Sequence, residues 1–382
     1  MPFYDKEHEM FRGSVHEYVQ RWVVPSYDQW EAERLIDRSI WAPAAELGLF
    51  GLDIPARFGG IDVHDYRFPM IVAEELSAVG AASLVTTFAG QDNVVRYLID
   101  LGTEEQRRRW LPGMAAGKVI GAIAMTEPGA GSDLRAIRTR AVREGDDWVL
   151  NGQKTFITSG IQADLVVVAA RTDPTAGAKG LTLFVVEGDA AGFGHDRRLA
   201  KLGLHAQDTA EMFFTDVRVP AAQVLGEVGQ GFGYLMWQLP RERFAIAIGA
   251  LAGAEAALTW TQDYVFGRQA FGRRVGDFQN TRFVLAEIAT EIDVTRSYLR
   301  ECAYKVNEGT LTAVEAAKAK WWASELEVRA VSRLLQLFGG YGYVEEYPIA
   351  RAYRDSRVQT IYGGTTEIMK EIIGRDIASR YR

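Results

Sequence analysis

Ala124-Met125-Thr126-Glu127-Pro128-Gly129-Ala130-Gly131-Ser132-Asp133 is where the chain changes character. Before it, apolar residues recur at helical spacing. After it come short β-rich runs, and from about residue 233 helical spacing returns. Its two glycines two apart, flanked by Thr126 and Ser132, let backbone N–H groups approach an anion closely, or simply make a turn between domains. A short glycine pattern does not decide between the two.

Upstream, residues 1–121 read as an N-terminal α-helical domain. Glu7 to Trp22 and Glu104 to Met114 are helical, and Thr103 followed by Glu104, Glu105 and Gln106 marks a helix start with acids on the positive end of the dipole. Ile54 to Gly60 (IPARFGG) is a loop by its Pro and Gly. Downstream, residues 122–232 read as a middle antiparallel β-domain. Trp148-Val149-Leu150, Asn151-Gly152 and Lys154 to Thr158 predict a hairpin turning at Asn-Gly. Leu165 to Ala169, Leu181 to Val186 and Met212 to Val219 add strands for a small sandwich or barrel. Residues 233–382 read as a C-terminal four-helix bundle. Leu285, Ile288, Ile292, Thr295, Leu299, Cys302 and Val306 form a heptad-like seam on one long helix, able to pack within or between subunits. Helices, then strands, then helices make an α+β fold rather than a doubly wound one.

Composition narrows the function classes. A chain of 382 residues has a prior of two to three domains at about 150 residues each. With 48% apolar and 24% charged residues it is neither disordered nor low-complexity. A net charge of −7 argues against nucleic acid as partner while leaving room for one basic pocket. The single Cys302 excludes a disulfide framework and a Cys-rich metal site, and the five histidines form no ligand cluster, so no metal is expected. Met1 to Gly13 has no apolar leader core, and the most apolar stretch, Phe244 to Leu258, is interrupted by Glu255 short of the roughly 20 residues of a span. The expectation is a soluble cytoplasmic protein without membrane insertion. P-loop, HExxH, GxSxG and dinucleotide fingerprints are absent. Glycine is in excess, 38 against 11 prolines, and much of it falls in a few chemically suggestive segments.

In Thr155 to Gly160, Phe156 suits either the core or the face of a flat cofactor ring, with Thr158 hydrogen-bonding to it. Leu239-Pro240-Arg241-Glu242-Arg243-Phe244 reads as the opening of a long apolar helix. There Glu242 either complements the helix dipole or is a general base walled in by apolar residues. Arg268, ahead of Phe271, Phe278 and Gln279, is a pyrophosphate ligand or a solvated helix-end arginine. Gln336 to Gly342 is a tight turn or a close backbone contact with a ligand, and Tyr362 to Glu367 a helix cap or a polar-ligand site.

Taken together, these segments resemble the acyl-CoA dehydrogenase family nearly end to end. Glu46 to Gly60 is similar to its N-terminal domain. Met125 to Asp133 is similar to one of its signatures. Lys201 to Leu204, Thr209 to Glu211 and Asp216 to Pro220 are similar to its β-domain, and Gln336 to Glu367 to its C-terminal signature. The resemblance implies non-covalently bound FAD and α,β-dehydrogenation of an acyl-CoA thioester to the trans-2-enoyl product. In the family a carboxylate removes the α-proton while a hydride leaves for flavin N5, and electrons pass to an electron-transfer flavoprotein.

Many members carry that carboxylate in a Tyr-Glu-Gly-Thr run; here Tyr362-Gly363-Gly364-Thr365 lacks it. Long-chain and isovaleryl-type members place a glutamate before an arginine on a bundle helix, the position of Glu242. The resemblance to these types implies Glu242 as base and the Gly363 backbone N–H as donor to the thioester carbonyl. It further implies that Ile123, Ala124, Met125, Thr126, Gly131, Ser132, Phe156, Ile157 and Thr158 hold the flavin. Arg268, Phe271, Phe278, Gln279, Gln336, Gly339 and Gly340 would hold the adenine-diphosphate half from a neighbouring subunit of a homotetramer. Thr365, Thr366 and Glu367 would close the FAD site, and Ser132, Arg243, Tyr362 and Gly364 would meet the acyl-CoA. The rival readings are a dehydrogenase of carrier-protein-bound acyl groups, an oxygen-using oxidase-like or hydroxylating flavoenzyme, and a non-catalytic relative that kept the fold.

Overall fold

The computed structural model describes residues 2–381. Its N-terminal part is helical: α1 (Lys6–Tyr18), α2 (Tyr27–Glu33), α3 (Trp41–Glu46), α4 (Arg67–Ala78), α5 (Ala82–Leu101) and α6 (Glu104–Ala115). The start expected at Thr103 is a reciprocal cap, in which the Thr103 hydroxyl accepts the Gln106 N–H and the Gln106 side chain accepts the Thr103 N–H.

Strands follow: β1 (Gly121–Ala124), β2 (Arg140–Glu144), β3 (Asp147–Thr158), β4 (Leu165–Arg171), β5 (Leu181–Glu187), β6 (Phe193–Arg198), β7 (Thr209–Pro220) and β8 (Val224–Leu225). They form one sheet in the order β6-β7-β3-β2-β4-β5-β8, with β1 on β4. Pairing is antiparallel except that β1 and β2 each meet β4 in parallel. The β1–β4 pair is parallel because a long crossover, itself containing the β2–β3 hairpin, separates the two strands in sequence.

The hairpin predicted at Asn151-Gly152 is not there. β3 runs straight through both residues, with a register shift against β7 between Leu150 and Gly152. Glycine is needed at 152 for close approach: a Cβ there would lie 2.7 Å from Thr139 Cα. Asn151 ties the shift to β7 by exchanging hydrogen bonds with Asp216 through its side-chain amide. The turn is one hairpin earlier, at Gly145-Asp146 between β2 and β3, where Gly145 has φ +64°.

The C-terminal part comprises α7 (Gly231–Gly267), the short hairpin β9 (Gln269–Ala270) and β10 (Arg273–Arg274), α8 (Gln279–Asn307), α9 (Ala313–Leu337), α10 (Pro348–Ser356) and α11 (Thr366–Ser379). The predicted seam is real and lies within the chain: Leu285, Ile288, Ile292, Leu299 and Cys302 are buried in a core shared with α7 and α9, and Val306 packs against it. Pro240 does not open α7. The helix begins at Gly231, so Pro240 is interior and Glu242 stands well beyond the first turn, out of reach of the dipole end. Phe244 to Leu258 belongs to this 37-residue helix, which by length and composition could cross a membrane, contrary to the expectation from Glu255; most of its apolar window is instead buried inside the protein. Phe3, Tyr66, Met70 and Ala73 join the same core, so the N-terminal helices and the bundle share one interior.

Candidate active site

Between α5, β1, the end of β3 and α7 lies a cavity of about 220 Å³. It brings together Ile123, Met125, Thr126, Phe156, Ile157, Thr158, Glu242, Tyr362 and Gly363, which sequence reasoning had gathered from four separate segments. Ala245, Ile246 and Gly249, following Glu242 on α7, supply the apolar wall.

Glu242 is half-buried and lines this space. Its Oε1 accepts a 3.1 Å hydrogen bond from the hydroxyl of the fully buried Tyr97 on α5. Burial pushes the Glu242 carboxyl up to about 7, with the Tyr97 hydrogen bond and the Arg243 charge pulling the other way. A carboxylate in that range takes a proton readily near neutral pH. Tyr97 is a residue the sequence did not single out, since its partner is 145 positions away.

Phe156 is not a core residue. It is 68% exposed at the cavity edge with φ +59°, and Ser159 beside it has φ +57°. Left-handed backbone at non-glycine residues costs of order 1–3 kcal/mol each and clusters at ligand-binding positions. The pairing of β3 with β7 slips between Lys154 and Ile157, which frees this stretch from the ladder.

The glycine-rich loop after β1 is held from beneath. Glu127 accepts hydrogen bonds from the backbone N–H groups of Arg138 (2.6 Å) and Thr139 (2.9 Å) and from Lys154 Nζ (2.8 Å). Lys154, with no exposed surface, also donates to the Met125 carbonyl at 3.0 Å. Burial alone would raise the Glu127 carboxyl, but Lys154 and these donors hold it below the usual range; burial pulls Lys154 down to about 8. Gly131 and Ser132 are exposed and lie outside the cavity lining, and Ala124 is buried in the sheet core.

Opposite, Gly363 has φ +64°, and a Cβ on it would stand 2.3 Å from Ile246 Cδ1. Its carbonyl accepts from Arg243 Nε at 3.1 Å, and the Gly364 carbonyl accepts from the buried Lys320 at 2.7 Å. Arg243 therefore braces this turn from behind and is not among the residues that line the cavity. Gly364 is likewise behind the wall. Thr365 caps α11, Thr366 donates to Glu325, and Glu367 is exposed.

Arg268, Gln336, Gly339 and Gly340 meet elsewhere, in an open groove of about 480 Å³ with Tyr264, Phe338 and Tyr341. Phe271 is 95% exposed on the β9–β10 hairpin, edge-on to Phe278 at 6.3 Å, and Gln279 starts α8. The groove and the cavity have no lining residue in common.

With this geometry in view, three domain families match the chain in order: "Acyl-CoA dehydrogenase, N-terminal domain" over residues 5–118, the middle domain over 122–217 and the C-terminal domain over 229–378. The chain is 46% identical over 376 residues to the mitochondrial long-chain specific acyl-CoA dehydrogenase of Sus scrofa, covering 98% of this chain and 87% of that protein. Its fold superposes on an acyl-CoA dehydrogenase from Geobacillus kaustophilus with a TM-score of 0.95 and 46% identity, covering 98% of each chain. It superposes on a glutaryl-CoA dehydrogenase from Mycobacterium smegmatis in complex with FADH2 with a TM-score of 0.92 and 27% identity, covering 99% and 96%. The chain belongs to the acyl-CoA dehydrogenase family.

Proposed function

We propose that this protein dehydrogenates an acyl-CoA thioester between its α and β carbons, with Glu242 as the base, and that the electrons pass to an electron-transfer flavoprotein. The observation that carries this is the half-buried Glu242 carboxylate, held by Tyr97 and lining the same cavity as Phe156.

FAD is the cofactor of the family, and the residues present fit it. The strained, exposed Phe156 offers a flat face at the cavity rim, and Thr126 and Thr158 offer hydroxyls beside it. Arg268, over the Tyr341 ring, and the Gly339-Gly340 turn in the same groove offer a cation and open backbone for a diphosphate. When bound, FAD supplies a hydride acceptor for the β-carbon. The cavity and the groove are separate on one chain, which together with the family resemblance supports a groove that serves a neighbouring copy in a homotetramer.

Glu242 takes the α-proton. Its raised affinity for that proton brings it near the weakly acidic carbon it must deprotonate. The Gly363 N–H, held by the Arg243–Gly363 brace, donates to the thioester oxygen as negative charge develops there. Ala245, Ile246 and Gly249 keep water from the reacting carbons. A glycine at 363 lets Ile246 pack against the turn, in the place a side chain there would occupy.

Anaerobic titration of the yellow holoprotein with straight and branched acyl-CoAs should bleach the oxidised-flavin absorbance; bleaching by none of them would sink the reading, and oxygen uptake without added acceptor would redirect it to an oxidase. A second outcome concerns pH. The Tyr97 hydroxyl favours the charged carboxylate, so Tyr97→Phe should shift the rising limb of the bleaching rate to higher pH by roughly one unit, the equivalent of about 1.4 kcal/mol. A limb that stays near 7 would show that Tyr97 does not tune the base.

A further inference from the structure

Behind the catalytic cavity the space continues. A second, narrower pocket of about 30 Å³ shares Val85, Ala89, Asn93 and Ala245 with it and runs between α4, α5 and α7. Its walls are mostly apolar, but Asp92, Asn93 and Arg241 also line it. These three have hydrogen-bonding capacity to spare. The Asn93 amide, which lines both spaces, makes no side-chain hydrogen bond to any described residue. Asp92 uses one oxygen to accept the Gly51 N–H, leaving the other unused. Arg241 donates one Nη to Asp53 and lies over the Tyr66 ring. Asn93 and Tyr97 are four residues apart on α5, so the polar end begins about 6 Å, one helical turn, from the group that holds the base.

A volume of this size holds about two waters. A methyl-ended chain reaching it displaces water from three polar groups and replaces none of its hydrogen bonds, which loses affinity; a hydroxyl replaces them. A carboxylate end is disfavoured, because Asp53 already neutralises Arg241 and Asp92 brings a further acid.

Building on the proposed acyl-CoA dehydrogenation, we propose that the acyl pocket has a polar end, and that the enzyme takes acyl chains carrying a neutral hydroxyl group at the position reached by Asn93, Asp92 and Arg241. Asn93 is the specificity-determining residue, because it stands at the junction of the two spaces.

The test uses the FAD-loaded protein and paired CoA thioesters of graded length, one of each pair ending in methyl and the other in an ω-hydroxyl. At the length that reaches Asn93, kcat/KM for the hydroxyl-ended thioester should equal or exceed that of its methyl-ended partner. Asn93→Leu should lower the hydroxyl-to-methyl ratio by about tenfold or more, since only the polar contact distinguishes the pair; Asn93→Ala gives the same readout should the leucine protein fold poorly. A preference for methyl ends at every length, or a ratio unmoved by substitution at Asn93, would overturn the inference while leaving the dehydrogenation intact. If neither series reduces the flavin, the proposed dehydrogenation itself fails.

Discussion

Glu242→Gln should slow acyl-CoA-driven bleaching of the bound flavin by about 10³-fold, within the 10²–10⁴ that a positioned general base contributes. Glutamine matches the shape of glutamate and keeps an oxygen to accept from Tyr97, so the cavity and the yellow colour are retained. What is lost is the proton acceptor alone. The wild-type rate should rise with pH through about 7, because only the unprotonated carboxylate can act. The substituted protein should lack that limb. The stability change has the opposite sign. A carboxyl whose proton affinity is raised by folding carries an unfavourable charge above about 7, so the Glu242→Gln protein should melt no lower than wild type at pH 8. Near-normal bleaching by a flavin-loaded Glu242→Gln protein would remove Glu242 from the reaction.

Lys154→Met carries the largest expected structural penalty. It leaves Glu127 buried without its cation, and breaking one side of a buried pair costs about 3–5 kcal/mol. Lys154 also donates to the Met125 carbonyl, so the loop from Met125 to Asp133 should loosen and FAD should dissociate more readily. Denaturant melts and retained flavin absorbance after gel filtration read the two effects. Adding Glu127→Gln should recover most of the stability, because the orphaned charge goes with it. A single variant that loses less than about 1 kcal/mol would mean that the pair does not anchor the loop.

The cap at Thr103 and the seam from Leu285 to Val306 depend on neighbours three or four positions apart, and both are present as written. Gly152 misled because a glycine required for close approach to Thr139 has the same letter as one required for a turn. Pro240 misled because proline is most at home in a helix's first turn, whereas here it stands in the interior of α7, where it removes one hydrogen bond of the helix. In the site, Glu242, Gly363, Phe156 and the loop at 123–126 were found and do converge, although only their placement, not their roles, is geometric. Tyr97, Lys154, Lys320 and Asn93 were missed. The first three are distinguished by partners elsewhere in the chain, Tyr97 by Glu242, Lys154 by Glu127 and Lys320 by the Gly364 carbonyl, and Asn93 by the two spaces it lines. Arg243 was linked to the acyl-CoA by resemblance alone; its bond to the Gly363 carbonyl could not be read from the sequence, because the two residues lie 120 positions apart.

The interior shared by α4 and the bundle bears on how the protein is made. One face of α4, with Ile71, Val72 and Leu76, is covered by other N-terminal helices; the other, with Met70 and Ala73, is covered by the bundle core to which α7 belongs. α4 ends at Ala78 and α7 begins at Gly231, so a ribosome working at about 5–20 residues per second needs roughly 8–30 s to bridge them. Throughout that interval the nascent chain displays an apolar stripe whose complement has not been translated. A ribosome stalled within the β-domain would therefore carry a sticky, incompletely buried N-terminal half, and an N-terminal fragment expressed alone would aggregate where the whole chain does not.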